Sequence, residues 1–453
     1  MNYKRYVLLF NIFFLLLLIA ATLLFELKPG IAGTNFRSLD ILSDVIRDSA
    51  NQHNIANINN AKKNKKNGNI EQRDYTSYQG LINNTDNPTA LFDFFSHLQE
   101  MTKKKRKKIR IAYFGDSMIE ADLITEDLRR MLQDYFGGGG TGFVPVTSIV
   151  SGLRRTIVHS FSSNWDEMSY KSDDKAAGNL FISGHSFFST NKSEVTYRTT
   201  NLPRLDNFSN VSVLYGSPVA GNSLDATIFV NDSAYPVTAA NLFNKLDLQF
   251  NNSKAIKIEI SSNAIPVYGA AFEADSGIVL DNFSFRGISG TELNYFSEEY
   301  LRQVQAARPY DLMIFHYGPN LLFKPNITDF SWYTRKMLPT LQKIKSSFPQ
   351  TSLLLISTAD KGFRSNGDWH TEKSVRPLID AQYTMATSTG IDFFNLYNAM
   401  GGEDAIVQWV NADTVLANKD YTHANRRGAK KIAELIFNAI MKEYKQYEKF
   451  SDK

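Results

Sequence analysis

The chain has 453 residues, of which 43% are hydrophobic, so it is long and apolar enough to bury a sizeable core and to form more than one domain. It contains no cysteine, which excludes disulfides, thiolate metal sites and a cysteine nucleophile. The formal charge of +4 is a small excess for this length and the basic residues are clustered, so the charge gives no support for a nucleic-acid partner.

The first predicted element is an N-terminal transmembrane helix at residues 6–25, which form a run of 20 residues without a charge. A helix of this length can cross the hydrocarbon core of a membrane. Lys4 and Arg5 precede it, which favours export of the rest of the chain. We therefore expect residues 1–30 to anchor the protein in the inner membrane of a bacterium, facing the periplasm and cell envelope. Export after cleavage of a signal peptide near residues 30–32 is the alternative.

A solvated stalk is expected at residues 31–87, because its second half is rich in Asn and Lys and has no apolar periodicity. A helix is predicted to follow, with Asn87 as its N-cap and Pro88 in its first turn, since apolar residues then recur at helical spacing. The basic run KKKRKK at residues 103–108 is interpreted as a solvated connector. Attraction to an anionic polymer or headgroup is the alternative.

A strand–turn–helix unit comes next, and the motif GDS ends its strand. The strand is predicted at residues 110–114 and the helix at residues 119–136. From about residue 155 to residue 280 the chain shows short alternating segments such as VSVLYG, ATIFVN and AIKIEI, separated by turn residues. This pattern is typical of an antiparallel β-sandwich or jelly roll.

After residue 290 strands and helices alternate again. DLMIFHYG and SLLLIST are predicted as buried strands, with helices at residues 297–307, 333–347 and 427–447. Such alternation indicates a mostly parallel sheet covered by helices on both faces. The sequence therefore predicts an α/β domain, residues 88–154 and 281–447, interrupted by an all-β insertion at residues 155–280.

The GDS motif places Ser117 at the carboxyl end of a strand, where ligands bind in open α/β sheets. A serine hydroxyl becomes a nucleophile only beside a base. Among the seven histidines, His423 has a suitable context, because Asp420 precedes it by three residues just before the last helix. In a tight turn that spacing lets a carboxylate orient the imidazole. A helix N-cap with an incidental histidine is the alternative.

Three features could supply the N–H donors that a tetrahedral oxyanion needs. The backbone N–H of Ser117 is one. Asn320, in HYGPN, could offer its side-chain amide, and Gly287 or Gly290, in FRGISGTEL, could offer a backbone N–H. Glycine and asparagine after strands are also common in ordinary turns.

The blocks GDS, ISG, GPN and DYTH occur in the order found in the SGNH (GDSL) hydrolase superfamily, which the chain resembles over most of residues 108–445. Removing the insertion from the interval between the serine and histidine blocks leaves about 180 residues, the size of a three-layer α/β/α domain. The chain looks most like exported peptidoglycan and polysaccharide O-acetylesterases, which carry a carbohydrate-binding-module-like β-sandwich between the serine and glycine blocks. The segments FGGGGTGFVPV, NLYNAMGG and KDYTHANRRGAKKIA also look like that group.

The resemblance implies that Ser117 is the nucleophile, His423 the general base and Asp420 its orienting carboxylate. It also implies an oxyanion hole made of the backbone N–H groups of Ser117 and Gly290 and the side-chain amide of Asn320. No metal or organic cofactor is implied.

The implied reaction is removal of O-acetyl groups from a cell-envelope polysaccharide, above all peptidoglycan, through an acetyl-serine intermediate. One alternative is an O-acetyltransferase of the same family that works with a membrane-bound acyltransferase partner. A non-catalytic polysaccharide-binding scaffold is another. The expected partners are an O-acetylated polysaccharide and the membrane, with no nucleic acid. The insertion is expected to hold glycan.

Further residues are candidates for substrate binding, with ordinary packing as the alternative for each. His316 lies at a strand end, and Asp368, Trp369 and His370 lie in a loop after SLLLIST, which could overhang the site. Aromatic residues of the insertion could stack on sugars if they are exposed: Trp165, Tyr170, Tyr197, Tyr215 and Tyr268.

Overall fold

The structure is a computed structural model, and it describes residues 74–173, 180–218, 224–261 and 265–451. The expected anchor and most of the expected stalk lie outside these ranges. Within them, no helix has both the length and the apolar character that crossing a membrane requires.

The strands of the described residues are, in chain order, β1 (Leu81–Ile82), β2 (Lys108–Gly115), β3 (Gly142–Pro145), β4 (Val158–Phe161), β5 (Trp165–Ser169), β6 (His185–Ser189), β7 (Ser193–Arg198), β8 (Phe208–Gly216), β9 (Asp225–Val230), β10 (Ser233–Thr238), β11 (Phe243–Ser253), β12 (Ala255–Ile260), β13 (Val267–Glu273), β14 (Gly277–Ser284), β15 (Leu312–His316), β16 (Ser352–Ile356), β17 (Gly362–Ser365), β18 (Asp368–Thr371) and β19 (Asp392–Phe394).

The α-helices of the described residues are α1 (Phe92–Thr102), α2 (Thr125–Phe136), α3 (Glu298–Ala307), α4 (Ser331–Ser347), α5 (Val375–Thr389), α6 (Leu396–Met400), α7 (Ala405–Asn411) and α8 (Arg426–Ser451). Short 3-10 turns lie at Ser117–Asp122, Ser151–Leu153, Thr291–Tyr295 and Pro319–Leu321.

The central sheet has the strand order β1-β19-β16-β15-β2-β14, and every pairing in it is parallel except that of β1 with β19. Its two faces are both buried. Along β2, Ile111 and Tyr113 pack against the helical core of α1, α2 and α8, whereas Ala112 and Phe114 pack against that of α3, α4 and α5. The result is the three-layer α/β/α architecture that the alternation of strands and helices predicted.

The second part of the fold is a sandwich of two antiparallel sheets. One sheet has the order β10-β9-β12-β7-β4, and the other has the order β11-β8-β13-β6-β5, with β3 added on β13. Side chains from both sheets meet in one core, for example Val195 and Ile258 from the first and Val213 and Phe272 from the second. This packing follows from the alternating apolar pattern of the segments.

The sandwich begins and ends earlier than the expected residues 155–280. β3 already pairs with β13 at residues 142–145, and β14, from residue 277 onward, pairs in parallel with β2. The strands of the two antiparallel sheets therefore extend from residue 142 to residue 273. The sequence did not mark these borders because β13 and β14 are buried on both faces and show no alternation.

The expected stalk also ends earlier than predicted. Tyr75 stacks on Tyr383 with ring centroids 3.8 Å apart, and β1 pairs with β19 and so forms the edge of the central sheet. Residues from 75 onward are thus part of the folded domain, although their composition resembles that of a solvated segment.

The first helix begins at Phe92, so the prediction that Asn87 and Pro88 start it was wrong. The buried carboxylate of Asp392 accepts the backbone N–H of Leu91 at 2.7 Å and thus takes the place of a local cap. A residue about 300 positions away supplies this contact, which local patterns do not reveal.

The basic run at residues 103–108 is only partly a solvated connector. Arg106 pairs with Asp311, and Lys108 donates to Glu273 at 3.0 Å, and both carboxylates are buried. These ion pairs hold the entry of β2 against the domain.

Candidate active site

Ser117 lies two residues beyond the end of β2, at the carboxyl edge of the parallel sheet, and is partly buried. The side chain of Asp116 accepts the N–H of Met118 at 3.0 Å and so caps the 3-10 turn that Ser117 opens. A Cβ on Gly115 would lie 2.9 Å from the Ile119 side chain, so the tight path of the chain requires glycine there. Ser117 is thereby held at a fixed place on a packed turn.

The helix expected at residues 119–136 is interrupted, because Ala121, Asp122 and Ile124 all have positive φ, at 55°, 66° and 64°. Such backbone conformations are unfavourable for residues other than glycine and persist only where the surroundings hold them. Here the buried Asp122 receives two hydrogen bonds from Arg129, at 2.7 and 2.8 Å. We refer to Ser117–Asp122 as the serine turn.

The structure brings Ser117, His423 and Asp420 together in one chain of contacts. The Oγ of Ser117 lies 3.0 Å from Nε2 of His423, and Nδ1 of His423 lies 2.8 Å from Oδ2 of Asp420. Asp420 also accepts the backbone N–H groups of Thr422 and His423 at 3.0 Å each. One oxygen of the carboxylate therefore contacts the imidazole at Nδ1 and the other binds the backbone of the turn, while Nε2 of the ring faces the serine hydroxyl.

Partial burial raises the pKa of Asp420, but hydrogen bonds from the backbone and ring of His423 and from the Thr422 N–H outweigh it and hold the pKa below its usual value. Asp420 is therefore ionised at neutral pH. An ionised carboxylate on Nδ1 places the ring proton there and leaves Nε2 free to accept a proton from Ser117.

Gly290 opens the 3-10 turn Thr291–Tyr295 in a left-handed conformation, with φ of 92°. A Cβ there would lie 2.7 Å from the Tyr317 ring, so only glycine fits. In the described part of the chain, no acceptor takes the backbone N–H of Gly290 or of Ser117. Both groups are available as donors, whereas Gly287 lies in a more open position three residues earlier.

Asn320 connects the serine and glycine blocks. Its Nδ2 donates to Oδ2 of Asp116 at 3.1 Å and to the carbonyl of Ile288 at 2.9 Å. The three segments expected to supply oxyanion donors are thus joined by the side chain of Asn320. Because both N–H groups of this amide are already engaged, it can bind an oxyanion only by exchanging one of these bonds.

Asp116 is a site residue that sequence reasoning did not single out. It is fully buried, and burial raises its pKa to about 6, although hydrogen bonds from Met118, Gly318 and Asn320 and the nearby His423 oppose that rise. Its place in the GDS motif was the only sequence signal that it lies between Ser117 and Asn320.

His316 is a buried packing residue in this structure. Its Nδ1 lies 3.0 Å from the hydroxyl of Tyr113, and its Nε2 has no hydrogen-bond partner among the described residues. Burial lowers its pKa to about 4, so the ring is neutral at neutral pH. This environment favours the packing alternative over substrate binding.

Asp368, Trp369 and His370 lie on a β-hairpin, β17 paired with β18, and not in an irregular loop. Asn366 and Gly367 turn it with φ of 53° and 98°. The prediction of a loop was wrong here, because the dipeptide Asn-Gly is the strongest short-range signal for such a hairpin. Asp368 is exposed, and His370 faces Asp404 at 3.3 Å. Trp369 stacks on Tyr421, next to Asp420.

The five aromatic residues of the sandwich that were considered for sugar stacking are all buried, with at most 9% of each exposed. They belong to hydrophobic cores, so none of them offers a face to a glycan. Among the described residues, no group of three or more His, Asp or Glu side chains is arranged to hold a metal ion.

No family model matches the sequence, and no curated protein matches it. Among solved structures, a peptidoglycan O-acetylesterase matches with a TM-score of 0.66 and 21% identity, over 81% of this chain and 99% of that chain. A family two carbohydrate esterase from Cellvibrio japonicus matches with a TM-score of 0.27 and 10% identity, over 63% of this chain and 99% of its own.

The first of these likenesses spans nearly the whole of the solved chain, and it shows a common fold. The expected α/β/α domain with an inserted β-sandwich is thereby confirmed. The expected transmembrane helix lies outside the described residues. The second likeness is too low in TM-score to carry an argument.

Proposed function

We propose that this protein is a serine esterase of the SGNH type that removes O-acetyl groups from a polysaccharide. The observation that carries this proposal is the chain of contacts from Ser117 through His423 to Asp420, at 3.0 and 2.8 Å. A nucleophile, a base and an orienting carboxylate within hydrogen-bond distance are the requirement for acyl transfer through serine. A packing role does not account for them, because both Asp420 and His423 are substantially exposed.

In the first step the Oγ of Ser117 attacks the acetyl carbonyl carbon while its proton moves to Nε2 of His423. The carbonyl oxygen becomes an oxyanion, which the backbone N–H groups of Ser117 and Gly290 stabilise. When the intermediate collapses, the bond to the sugar oxygen breaks and His423 gives its proton to that oxygen. The acetyl group then remains on Ser117.

In the second step a water molecule attacks the acetyl-serine with His423 again as base, and acetate leaves as Ser117 recovers its proton. Asp420 stabilises the imidazolium in both steps. Asn320 contributes a third donor if its bond to Asp116, the longer of its two at 3.1 Å, is exchanged for the oxyanion. This chemistry needs no metal or organic cofactor.

The polysaccharide we propose is O-acetylated peptidoglycan. Two facts support this choice: the fold likeness to a peptidoglycan O-acetylesterase covers 81% of this chain, and the apolar residues 6–25 suit an anchor that would keep the enzyme at the cell envelope. The sandwich would hold the polymer through surface residues, since the five aromatic residues considered for this role are core.

The test is acetate release from O-acetylated peptidoglycan, with Ser117→Ala as the inactive variant and Ser160→Ala, an exposed serine of the sandwich, as the matched control. We expect release by the wild type and by Ser160→Ala, and none by Ser117→Ala. Release from O-acetylated xylan but not from peptidoglycan would refute the proposed polymer. Transfer of acetyl to an added sugar, without net release of acetate, would identify the enzyme as an O-acetyltransferase instead.

A further inference from the structure

The histidine turn, residues 417–424, is the most exposed part of the candidate active site. The side chain of Asp420 is 49% exposed and that of His423 is 38% exposed. The turn is closed by a bridge between Ala417 and Ala424 and by the bond from the Asn418 N–H to the His423 carbonyl, at 2.8 Å. A turn of this kind has few contacts to hold its tip in place.

Two hydrogen bonds join the histidine turn at residues 418–423 to other described segments. One is the contact of His423 with Ser117, and the other runs from the Gly362 N–H to the Tyr421 carbonyl, at 2.7 Å. Tyr421 has a positive φ of 52°, which is unfavourable for its residue type. The second bond therefore restrains the backbone of the turn at its strained residue.

The β-hairpin formed by β17 and β18 adds a large ring contact at the same residue. The ring of Trp369 stacks on that of Tyr421 with centroids 3.9 Å apart and planes at 7°. Gly362 makes room for this approach, since a Cβ there would lie 2.7 Å from the Cβ of Tyr421. The Trp369 ring therefore packs directly on the residue that has the strained backbone of the histidine turn.

The hairpin is itself tied to the α/β domain. Thr371 donates its N–H to Asp404 at 2.7 Å and accepts the N–H of Asp404 at 2.7 Å. At the same end of the hairpin, just before β17, the Nζ of Lys361 donates to the carbonyl of Leu322 at 2.6 Å, beside the 3-10 turn that carries Asn320. A fixed hairpin can therefore hold the histidine turn relative to the rest of the site.

We propose that the hairpin positions His423, and that Trp369 is the positioning residue through which it acts. The effect of this positioning on turnover rests on the proposed function, because the position of His423 matters for turnover only if Ser117 is the nucleophile. Misplacing a reacting group by about 1 Å can cost about 100-fold in rate. Loss of the Trp369 ring should therefore slow the acyl transfer chemistry without unfolding the domain.

The test compares Trp369→Ala, Trp369→Phe and the control Phe363→Ala with the wild-type protein. Phe363 is an exposed residue of the same hairpin, opposite His370 and on the other face from Trp369. Hydrogen exchange of residues 417–424 reports the position of the turn without any need for activity. Hydrolysis of 4-nitrophenyl acetate and the rate of fluorophosphonate labelling report the chemistry.

We expect Trp369→Ala to speed exchange in residues 417–424 at least tenfold and to lower both kcat on 4-nitrophenyl acetate and the labelling rate about tenfold or more. Trp369→Phe, which keeps an aromatic ring, should have an exchange rate, kcat and labelling rate close to those of the wild type. Phe363→Ala should behave as the wild type. Midpoints of thermal unfolding measured in parallel identify any variant that fails to fold. If Trp369→Ala fails to fold, Trp369→Leu, which keeps apolar volume without a ring, carries the test with the same expected losses.

Wild-type exchange in Trp369→Ala would overturn the proposal, as would faster exchange with unchanged kcat and labelling rate. A raised KM for the polymer with normal turnover of the small ester would also overturn it, because it would make Trp369 a sugar-stacking residue. A wild-type protein that neither turns over nor reacts with the fluorophosphonate would refute the proposed function, and the exchange measurement would still decide whether the hairpin holds the turn.

Discussion

The serine turn and the histidine turn hold the side chains of Ser117 and His423 in different ways. The serine turn follows a buried strand and contains the buried Asp122, with the buried Asp116 directly before it, whereas about half of the Asp420 side chain in the histidine turn is exposed. Burial and ion pairs hold the first, and hydrogen bonds within the turn hold the second, with support from the hairpin. Ser117, the proposed nucleophile, therefore lies on a turn built into the packed interior, whereas His423, the proposed base, lies on a turn at the surface.

This difference predicts where mutations act. Changes in the serine turn should lower the free energy of unfolding, because they disturb buried and charged contacts. Changes in the histidine turn should lower activity and leave the free energy of unfolding nearly unchanged, because surface residues contribute little to stability.

The largest effect is expected for His423→Gln. Removal of a catalytic base costs about 10⁴-fold or more in kcat, while unfolding should be unaltered within about 0.5 kcal/mol. A matched control is His185→Gln, which breaks another histidine–carboxylate pair, with Glu167 at 2.7 Å in the sandwich. Steady-state kinetics of both variants measure the change in kcat, and denaturant unfolding measures the change in the free energy of unfolding. Loss of activity in both variants, or in neither, would show that His423 has no special role in the reaction.

A smaller effect, on stability, is expected for Asp122→Asn. This change leaves the buried Arg129 without its carboxylate, which costs about 3–5 kcal/mol in the free energy of unfolding. The exposed Asp134, which pairs with Arg204 at 3.2 Å, provides the control, since Asp134→Asn should cost less than about 1 kcal/mol. Equal losses in the two variants would show that the serine turn is not held by its buried ion pair.

The smallest effect is expected in the pH dependence contributed by Asp116. Burial raises its folded pKa from 3.8 to about 6, so the folded state binds more protons than the unfolded state between these pH values. Stability from this group therefore falls as pH rises from about 4 to 6, by about 2–3 kcal/mol in all. Asp116→Asn lacks the titration, so the stability of the wild type relative to this variant should fall across that window. A difference that stays constant from pH 4 to 7 would contradict the burial argument.

The sequence predicted best what local patterns encode. Alternation along segments such as VSVLYG marked the sandwich, and the buried strands around GDS and HYG marked the parallel sheet. The contact between Ser117 and His423, 306 residues apart, was anticipated through the family resemblance, because spacing alone says nothing about so distant a pair.

What the sequence did not reveal depends on contacts between distant segments. Asp392 moves the start of the first helix by binding Leu91, 301 residues away. The engagement of Asn320 with Asp116 has the same origin. The interruption of the next helix at Asp122 is different, because its partner Arg129 lies only seven residues away, and the apolar pattern did not show this local contact. The hairpin that carries Trp369 is a second exception, since its Asn-Gly turn was visible in the sequence.

The proposed reaction depends on Ser117 being a nucleophile that His423 activates. The most direct measurement is labelling of the protein with a fluorophosphonate, followed by identification of the modified peptide. We predict that Ser117 alone is modified, that Ser117→Ala is not labelled, and that His423→Gln is labelled at least 100-fold more slowly. Modification of another residue, or labelling at an undiminished rate without His423, would contradict this account.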